Sequence, residues 1–407
     1  MYSKLHPQQL VKFGLIIFAI FSPFSIAGTQ IGFGIALLGW ILKILWTKKL
    51  SWQKSFWDKP VIFYLLAVII SVIFSQDFLK SLITFKDQWL ILLFFLLVNN
   101  INDLGFSRKL LDIIIGISVL VALYAISQHY TGVDFFHNRR LEEILTTGKY
   151  RVVGNFSTMA YAFYAMVMSL VIFCLASFEK DKNKQIFYYA ASLILVTGNL
   201  FAYTRSTQLG QLSGFLAFFL LSGSQKKKKE LILLAIYTVV ILLIDPFILI
   251  RYGQEAGASS AGKRLIIWKT SWSIFVDHPI AGIGIGNYKM FFERYLRVKS
   301  ELYATAHNDF LHVAVQSGML GLASFIWLWI TAWTGLKRKY SEITDENSSK
   351  PLVLAGLVTL PAFLIASQFS TFYGSPIGAL LLLFVLGLSA SGKTVYHKSS
   401  LKQSNLA

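Results

Sequence analysis

Charged residues are scarce in this sequence, and cysteine is nearly absent. Only 14% of the 407 residues are charged and 55% are hydrophobic, whereas soluble domains contain about 25% charged residues. The single cysteine, Cys174, excludes a disulfide within the chain. Apolar runs of about 20 residues, long enough to cross the hydrocarbon core of a bilayer, recur along the sequence instead. This composition excludes an ordinary soluble domain.

The apolar runs predict an all-α, polytopic integral membrane protein, with about twelve transmembrane helices in a single domain over residues 1–407. The predicted helices cover residues 10–27, 29–46, 60–75, 83–98, 110–128, 157–178, 186–203, 207–223, 231–250, 307–334, 351–370 and 376–391. The first run lacks a small-residue cleavage site and is followed at once by another, so we expect an uncleaved first helix.

Acidic residues are fewer than basic ones, 20 against 38, which gives a net charge of +18. Such an excess could indicate nucleic-acid binding. If the N-terminus lies in the cytoplasm, however, every inside segment is basic, including the run Lys226–Lys229. Because cytoplasmic loops of membrane proteins are rich in lysine and arginine, we expect both termini inside and no nucleic-acid partner.

Two predicted outside loops are long, at residues 129–156 and 251–306, the second between the ninth and tenth spans. The spacing of Arg264, Trp268 and Trp272 predicts a short amphipathic helix in the larger loop, from Ser259 or Ser260 to Asp277. The stretch "GIGIGN" at 282–287 lacks the βαβ context of a dinucleotide fingerprint. It indicates flexible turns or, alternatively, a backbone nest for an oxyanion.

Arginine and histidine recur on the predicted outer side. Arg205 interrupts an apolar hairpin, which is costly unless the side chain snorkels to the interface or lines a polar cavity. A guanidinium group matches phosphate geometry, so an anion site is the functional interpretation. On a helix, His307 and His312 would lie about 140° apart, so we expect no metal site and expect His312 to face elsewhere.

These segments carry a family resemblance. "SSAGKRLIIWKTSWSIFVDHPIAGIGIGNYKMFF" and "AHNDFLHVAVQSGMLGLASFIWL" resemble the second periplasmic loop and the following helix of the O-antigen ligase and polymerase superfamily. "RVVGNFSTMAYAFY" and "YTRSTQLGQLSGF" resemble its sixth-helix entry and its arginine-bearing hairpin. Ser157-Thr158 stands where the superfamily usually has Asn-Pro, and Gln316 stands where it usually has glutamate. We therefore assign Gln316 no acid–base role.

The resemblance implies a metal-independent, cofactor-free glycosyltransferase at the periplasmic face of the bacterial inner membrane. Its donor would be a glycan on undecaprenyl diphosphate. Its acceptor would be lipid A–core for a ligase, a second lipid-linked glycan for a polymerase, or a protein hydroxyl. Arg205 and Arg264, with Arg151 as a weaker third, would bind the diphosphate. His307, with a reference pKa of about 6.5, would accept the hydroxyl proton, and Asn308 would orient the substrate or the ring.

Other interpretations stay open from the sequence. His307 could bind the diphosphate, or only cap the tenth helix. The whole chain could be a small-solute transporter, for example of bicarbonate, or a non-catalytic envelope scaffold. Transporters usually carry ionisable residues at mid-membrane, and the acidic candidates Asp112 and Asp245 lie near span ends. This favours an enzyme that works at one face of the membrane. The choice between a ligase and a polymerase stays undecided.

Overall fold

The structure is a computed structural model that describes residues 6–49, 51–144, 146–222, 227–248, 260–297, 304–344 and 349–392. The first helices are α1 (Pro7–Phe21), α2 (Ile26–Thr47), α3 (Asp58–Ile73), α4 (Phe78–Phe85), α5 (Leu92–Asn100), α6 (Leu104–Thr131), α7 (Thr158–Phe178) and α8 (Lys182–Phe201). They are followed by α9 (Arg205–Leu221), α10 (Lys227–Ile244), α11 (Ser260–Asp277), α12 (Tyr288–Leu296), α13 (Asp309–Glu342), α14 (Lys350–Ala366) and α15 (Pro376–Ala390). A 3₁₀ segment, Lys86–Ile91, joins α4 to α5, and β1 (Val133–Asp134) pairs antiparallel with β2 (Arg139–Arg140).

A helix occurs at each of the twelve predicted segments. Within the described part of the chain, five stretches are long and apolar enough to cross a membrane: α2, Phe78–Asn100, α6, α7 and α13. Helices α1, α14 and α15 are apolar but shorter. The mostly helical fold with membrane-length apolar helices is therefore confirmed, and twelve crossings remain a prediction.

Helix α7 lies at the centre of the bundle, since nearly all of its side chains between Tyr161 and Ser177 are buried. It packs against α8, α9, α14 and α15, and α9 packs along α14. Ser157 caps its first turn by accepting a hydrogen bond from the N–H of Ala160 at 3.3 Å. A serine N-cap is a favoured way to begin a helix, so Ser157-Thr158 starts α7 without the usual Asn-Pro.

Helix α13 is broken at Gly318, where φ is +65° and ψ is −162°. The break frees carbonyl groups of α13. The glycine segment, residues 282–287, binds to them: Ile283 N–H donates to Val315 O and Gly284 N–H donates to Gln316 O, both at 3.0 Å. The predicted turns are present, with positive φ at Gly282, Gly284 and Gly286, and these hydrogen bonds dock them on the helix. The nest alternative loses support, because these amides already donate to the helix.

Both long predicted loops contain folded structure. In 129–156, helix α6 continues to Thr131 and the β1–β2 hairpin follows. In 251–306, the predicted helix is confirmed as α11, with Ile274 buried and Trp272 59% exposed. The predicted cap at Ser259 or Ser260 lies outside the described side chains. Helix α12 and the docked glycine segment complete this region, so its polar residues are held by a folded frame.

Candidate functional site

The predicted site residues lie at one end of the bundle, which we call the site end. It comprises the C-terminal ends of α6, α8 and α14 and the N-terminal ends of α9 and α13. The turn from α8 to α9 is sharp, with Tyr203 at a φ of +49°, Thr204 at the N-cap and Arg205 as the first residue of α9. This turn fixes the backbone position of Arg205, whose side chain is half-buried.

Helix α11 brings the half-buried Arg264 near Arg205, and we call this pair the arginine cluster. Burial and, after it, the positive charge of Arg205 lower the pKa of the Arg264 guanidinium below its ordinary value. One turn further on, the buried Nε1–H of Trp268 has no acceptor among the described residues. Two nearby cations and a free buried donor form a place where an anion would be stabilised.

Arg151 lies on the neighbouring loop and is already paired. Its Nη1 donates to Oε2 of Glu142 at 3.0 Å, and its Nε lies 3.4 Å from the carbonyl oxygen of Ala202. Its guanidinium therefore ties the first long loop to the α8–α9 turn. The structure places Arg151 beside the turn that bears Arg205, with part of its charge neutralised by Glu142.

A buried polar network that the sequence analysis did not identify supports the same turn. Nε2 of His129, at the end of α6, lies 3.1 Å from Oδ2 of Asp245, just after α10. Nδ1 of His129 lies 2.8 Å from Tyr150 O, and the hydroxyl of Tyr203 donates to Asp245. His129 and Asp245 are both almost fully buried. The network thus links α6, α10 and the first long loop to the residues just before Arg205.

Asn308, and not His307, caps α13. Oδ1 of Asn308 accepts a hydrogen bond from the N–H of Leu311 at 3.0 Å, and its Nδ2 donates to Oε1 of Gln368 at 3.3 Å. His307 precedes the helix with a φ of +48°. The interpretation of His307 as only a helix cap is therefore wrong.

The α13 start and the arginine cluster share the site end through α14. The Asp309 N–H donates to Ser367 O at 2.9 Å, directly after α14, and Gln368 holds Asn308. The next residue, Phe369, packs near Trp268 of α11, with ring centroids 6.2 Å apart. Because α9 packs along the same helix, Arg205, Arg264, Asn308 and His307 converge on the end of α14.

His312 and Gln316 also belong to the site end. Expecting His312 to face elsewhere was wrong, because the angular argument placed His307 inside the helix; the two imidazoles are close enough for their charges to interact. Nε2 of Gln316 contacts Nε2 of His312, and Oε1 of Gln316 accepts from Gly286 N–H at 2.8 Å. Gln316 therefore orients His312 and holds the glycine segment. Their i,i+4 spacing was the signal available in the sequence.

Asp309 is a further residue that the sequence analysis did not single out. It is buried, and its carboxylate accepts hydrogen bonds from the backbone N–H groups of Phe372 at 3.0 Å and Tyr373 at 3.1 Å. These bonds hold the segment after α14 against the start of α13. Over the described ranges, no group of three or more His, Cys, Asp or Glu side chains is placed to hold a metal ion.

Comparison with known proteins identifies a related family. No match was found among curated proteins. The model of the family described as O-antigen ligase matches residues 190–326, from within α8 to within α13. The matched segment contains Arg205, Arg264, His307 and Asn308, while Arg151 lies before it. The predicted resemblance is thereby confirmed: residues 190–326 match the O-antigen ligase family model, and this part of the chain is similar to that family.

Proposed function

We propose that the protein is a glycosyltransferase that moves a glycan from undecaprenyl diphosphate to a hydroxyl group of lipid A–core. In this proposal it acts at the periplasmic face of the bacterial inner membrane. The observation that carries the proposal is the arginine cluster beside His307 at one end of a helical bundle, within a segment that matches O-antigen ligases.

The chemistry needs one proton acceptor and a stabilised leaving group. His307 takes the proton of the acceptor hydroxyl as that oxygen attacks the anomeric carbon of the donor sugar. The bond from the anomeric carbon to the diphosphate oxygen breaks, and its electron pair leaves with undecaprenyl diphosphate. Arg205 and Arg264 stabilise the charge that develops on that oxygen, so they favour the transition state over the ground state.

The surrounding residues fit supporting roles. The side chain of Asn308 is engaged with Leu311 and Gln368, so it positions the adjacent His307 through the backbone. Arg151 holds the α8–α9 turn and adds positive charge at the edge of the arginine cluster. The Nε1–H of Trp268 is a further donor for a diphosphate oxygen. In this arrangement no metal ion or cofactor takes part.

A gene deletion complemented with variants tests this function. The deletion strain receives wild type, His307→Ala, Arg264→Ala or, as a matched control, Lys263→Ala, which removes the exposed cation next to Arg264. Surface glycan is then analysed on a gel. We expect loss of lipid A–linked glycan with the first two variants and normal glycan with Lys263→Ala.

The outcomes separate the alternatives. Full-length chains that accumulate on the lipid carrier indicate a ligase, whereas lipid A–core capped with a single repeat indicates a polymerase. Normal glycan in the deletion strain would refute the function and leave a small-solute transporter as the alternative. Normal glycan with both His307→Ala and Arg264→Ala would refute the site alone.

A further inference from the structure

We propose that a cavity at the start of α13 binds a sugar ring of the acceptor glycan; this inference rests on the proposed function. The cavity has a volume of about 330 Å³. It lies between the 3₁₀ segment Lys86–Ile91, the first half of α13 and the residues after α14. Small-molecule pockets span roughly 300–1,000 Å³, so its size suits a small polar ligand or one unit of a chain.

Aromatic rings form part of the wall and are held rigidly. The indole of Trp89 stacks on Phe33, with centroids 4.7 Å apart and planes at 21°. The ring of Tyr373 meets Phe325 edge-on at 5.1 Å and Trp329 at 5.7 Å. Rings fixed in this way present an apolar surface at little entropic cost, which suits the apolar face of a sugar.

Polar groups form another part of the wall. Gln30, Gln88 and Gln316 contribute amides, which both donate and accept hydrogen bonds. The His312 ring also faces the cavity, and the carboxylate of Asp309 is already oriented by two backbone N–H groups. Hydroxyl groups likewise donate and accept, so this set is complementary to a sugar.

The cavity differs from the arginine cluster in charge. Lys289 is the one lysine or arginine among the described residues that line it, and the exposed carboxylate of Asp87 lies on the same wall. A diphosphate would gain little there. A polyprenyl chain would also be disfavoured, because the half-buried amides of Gln30 and Gln88 would lose water without gaining a hydrogen bond.

The position of the cavity, next to the segment that bears His307, indicates that it binds the acceptor. Its lining includes Ala304 and Asp309, so it adjoins the segment that bears His307. The residue after His307, Asn308, contacts Gln368, and the adjacent Phe369 packs near Trp268 of α11. The segment that bears His307 therefore connects the cavity to the region of the arginine cluster. A base must reach the hydroxyl that it deprotonates, so we assign the sugar in this cavity to the acceptor.

Cysteine protection tests occupancy directly. Cys174 is buried and is the only native cysteine, so Cys174→Ala provides a clean background for Gln88→Cys in the cavity wall. Ser127→Cys, at an exposed position of α6, is the control. The rate of maleimide labelling is measured for the full-length protein in nanodiscs, without a probe and with each of three probes. The probes are delipidated core oligosaccharide, free repeat-unit oligosaccharide and undecaprenyl phosphate.

We expect at least one oligosaccharide to slow labelling at position 88 several-fold, and undecaprenyl phosphate to have no such effect. The control position should label at a constant rate. Protection by undecaprenyl phosphate alone would overturn the proposal in favour of a lipid chain, and so would the absence of protection by any probe.

A kinetic variant gives an independent readout. Trp89→Leu removes the ring but keeps the position apolar, and it should raise the acceptor KM by roughly 2- to 10-fold while the donor KM stays unchanged. Trp327→Leu, at an exposed position of α13 outside the cavity lining, is the matched control. If wild type transfers glycan and both Trp89→Leu and the labelling show no effect, this inference fails and the proposed function stands. If wild type transfers none, the function fails.

Discussion

The arginine cluster and the proposed acceptor cavity differ in their chemistry. Arg205 and Arg264 place two positive charges close together, an arrangement that an anion would stabilise. In the cavity, Gln316 and Asp309 are already engaged in hydrogen bonds with the backbone. The difference supports the proposal that the arginine cluster binds the charged leaving group and the cavity binds neutral hydroxyl groups.

The largest expected effect comes from removing that base. His307→Ala should lower kcat by about 10²–10⁴, the usual contribution of general acid–base catalysis, with little change in either KM. His307→Gln keeps a hydrogen-bond donor but cannot take the proton. If the glutamine variant retained near-normal kcat, His307 would instead be a diphosphate ligand. Transfer is measured with purified protein in nanodiscs.

The next largest effect comes from the arginine cluster. Arg205→Gln or Arg264→Gln should each lower kcat by about 10²–10³, as removal of an oxyanion-hole donor does. Because the charge of Arg205 disfavours the charged form of Arg264, Arg264→Gln should leave the donor-free protein as stable as wild type or more stable, within about 1 kcal/mol. Enzyme kinetics measures kcat, and thermal unfolding measures the stability of the donor-free protein. Equal losses of activity and stability would show that these arginines are structural, and Lys263→Gln is the exposed control.

Much of this arrangement could be predicted because its signals are local. The spacing of Arg264, Trp268 and Trp272 predicted α11, and Arg205 stands out because it interrupts an apolar hairpin. Helical periodicity and the cost of a charge among apolar residues both act over a few residues, so a single sequence reveals them.

The cavity side could not be predicted, because it depends on contacts that are distant in sequence. Gly318 breaks α13 only because residues 279–284 supply partners for the exposed backbone: Met319 N–H, for example, donates to Pro279 O at 2.7 Å. The positive φ of His307, unusual for a residue other than glycine, depends equally on its surroundings. A helical wheel assumes that both residues lie within the helix, whereas His307 precedes it, which is why the wheel separated His307 from His312.

A smaller effect is expected from the network beneath Arg205. Asp245→Asn removes the charge that pairs with His129 and weakens the hold on Tyr203, two residues before Arg205. A small displacement of Arg205 should lower kcat by up to about 10²-fold. Asp112→Asn is the matched control: Asp112 also accepts a hydrogen bond from a tyrosine, Tyr188, but lies towards the other end of α6. Equal kcat in the two variants would contradict a positioning role.

The smallest effect should come from Gln316→Leu. It removes the acceptor of the Gly286 N–H and the contact that orients His312, while the side-chain size is nearly kept. An unsatisfied N–H costs about 1–3 kcal/mol, so thermal unfolding should occur at a lower temperature and the acceptor KM should rise.

Gln185→Leu is the control, since Gln185 donates to Ala176 O at 3.0 Å near the other end of the bundle. Both variants should lose stability, but only Gln316→Leu should change the acceptor KM, because only that glutamine joins the glycine segment to the cavity wall. An unchanged acceptor KM in both would mean that the helix break supports the fold without shaping the cavity.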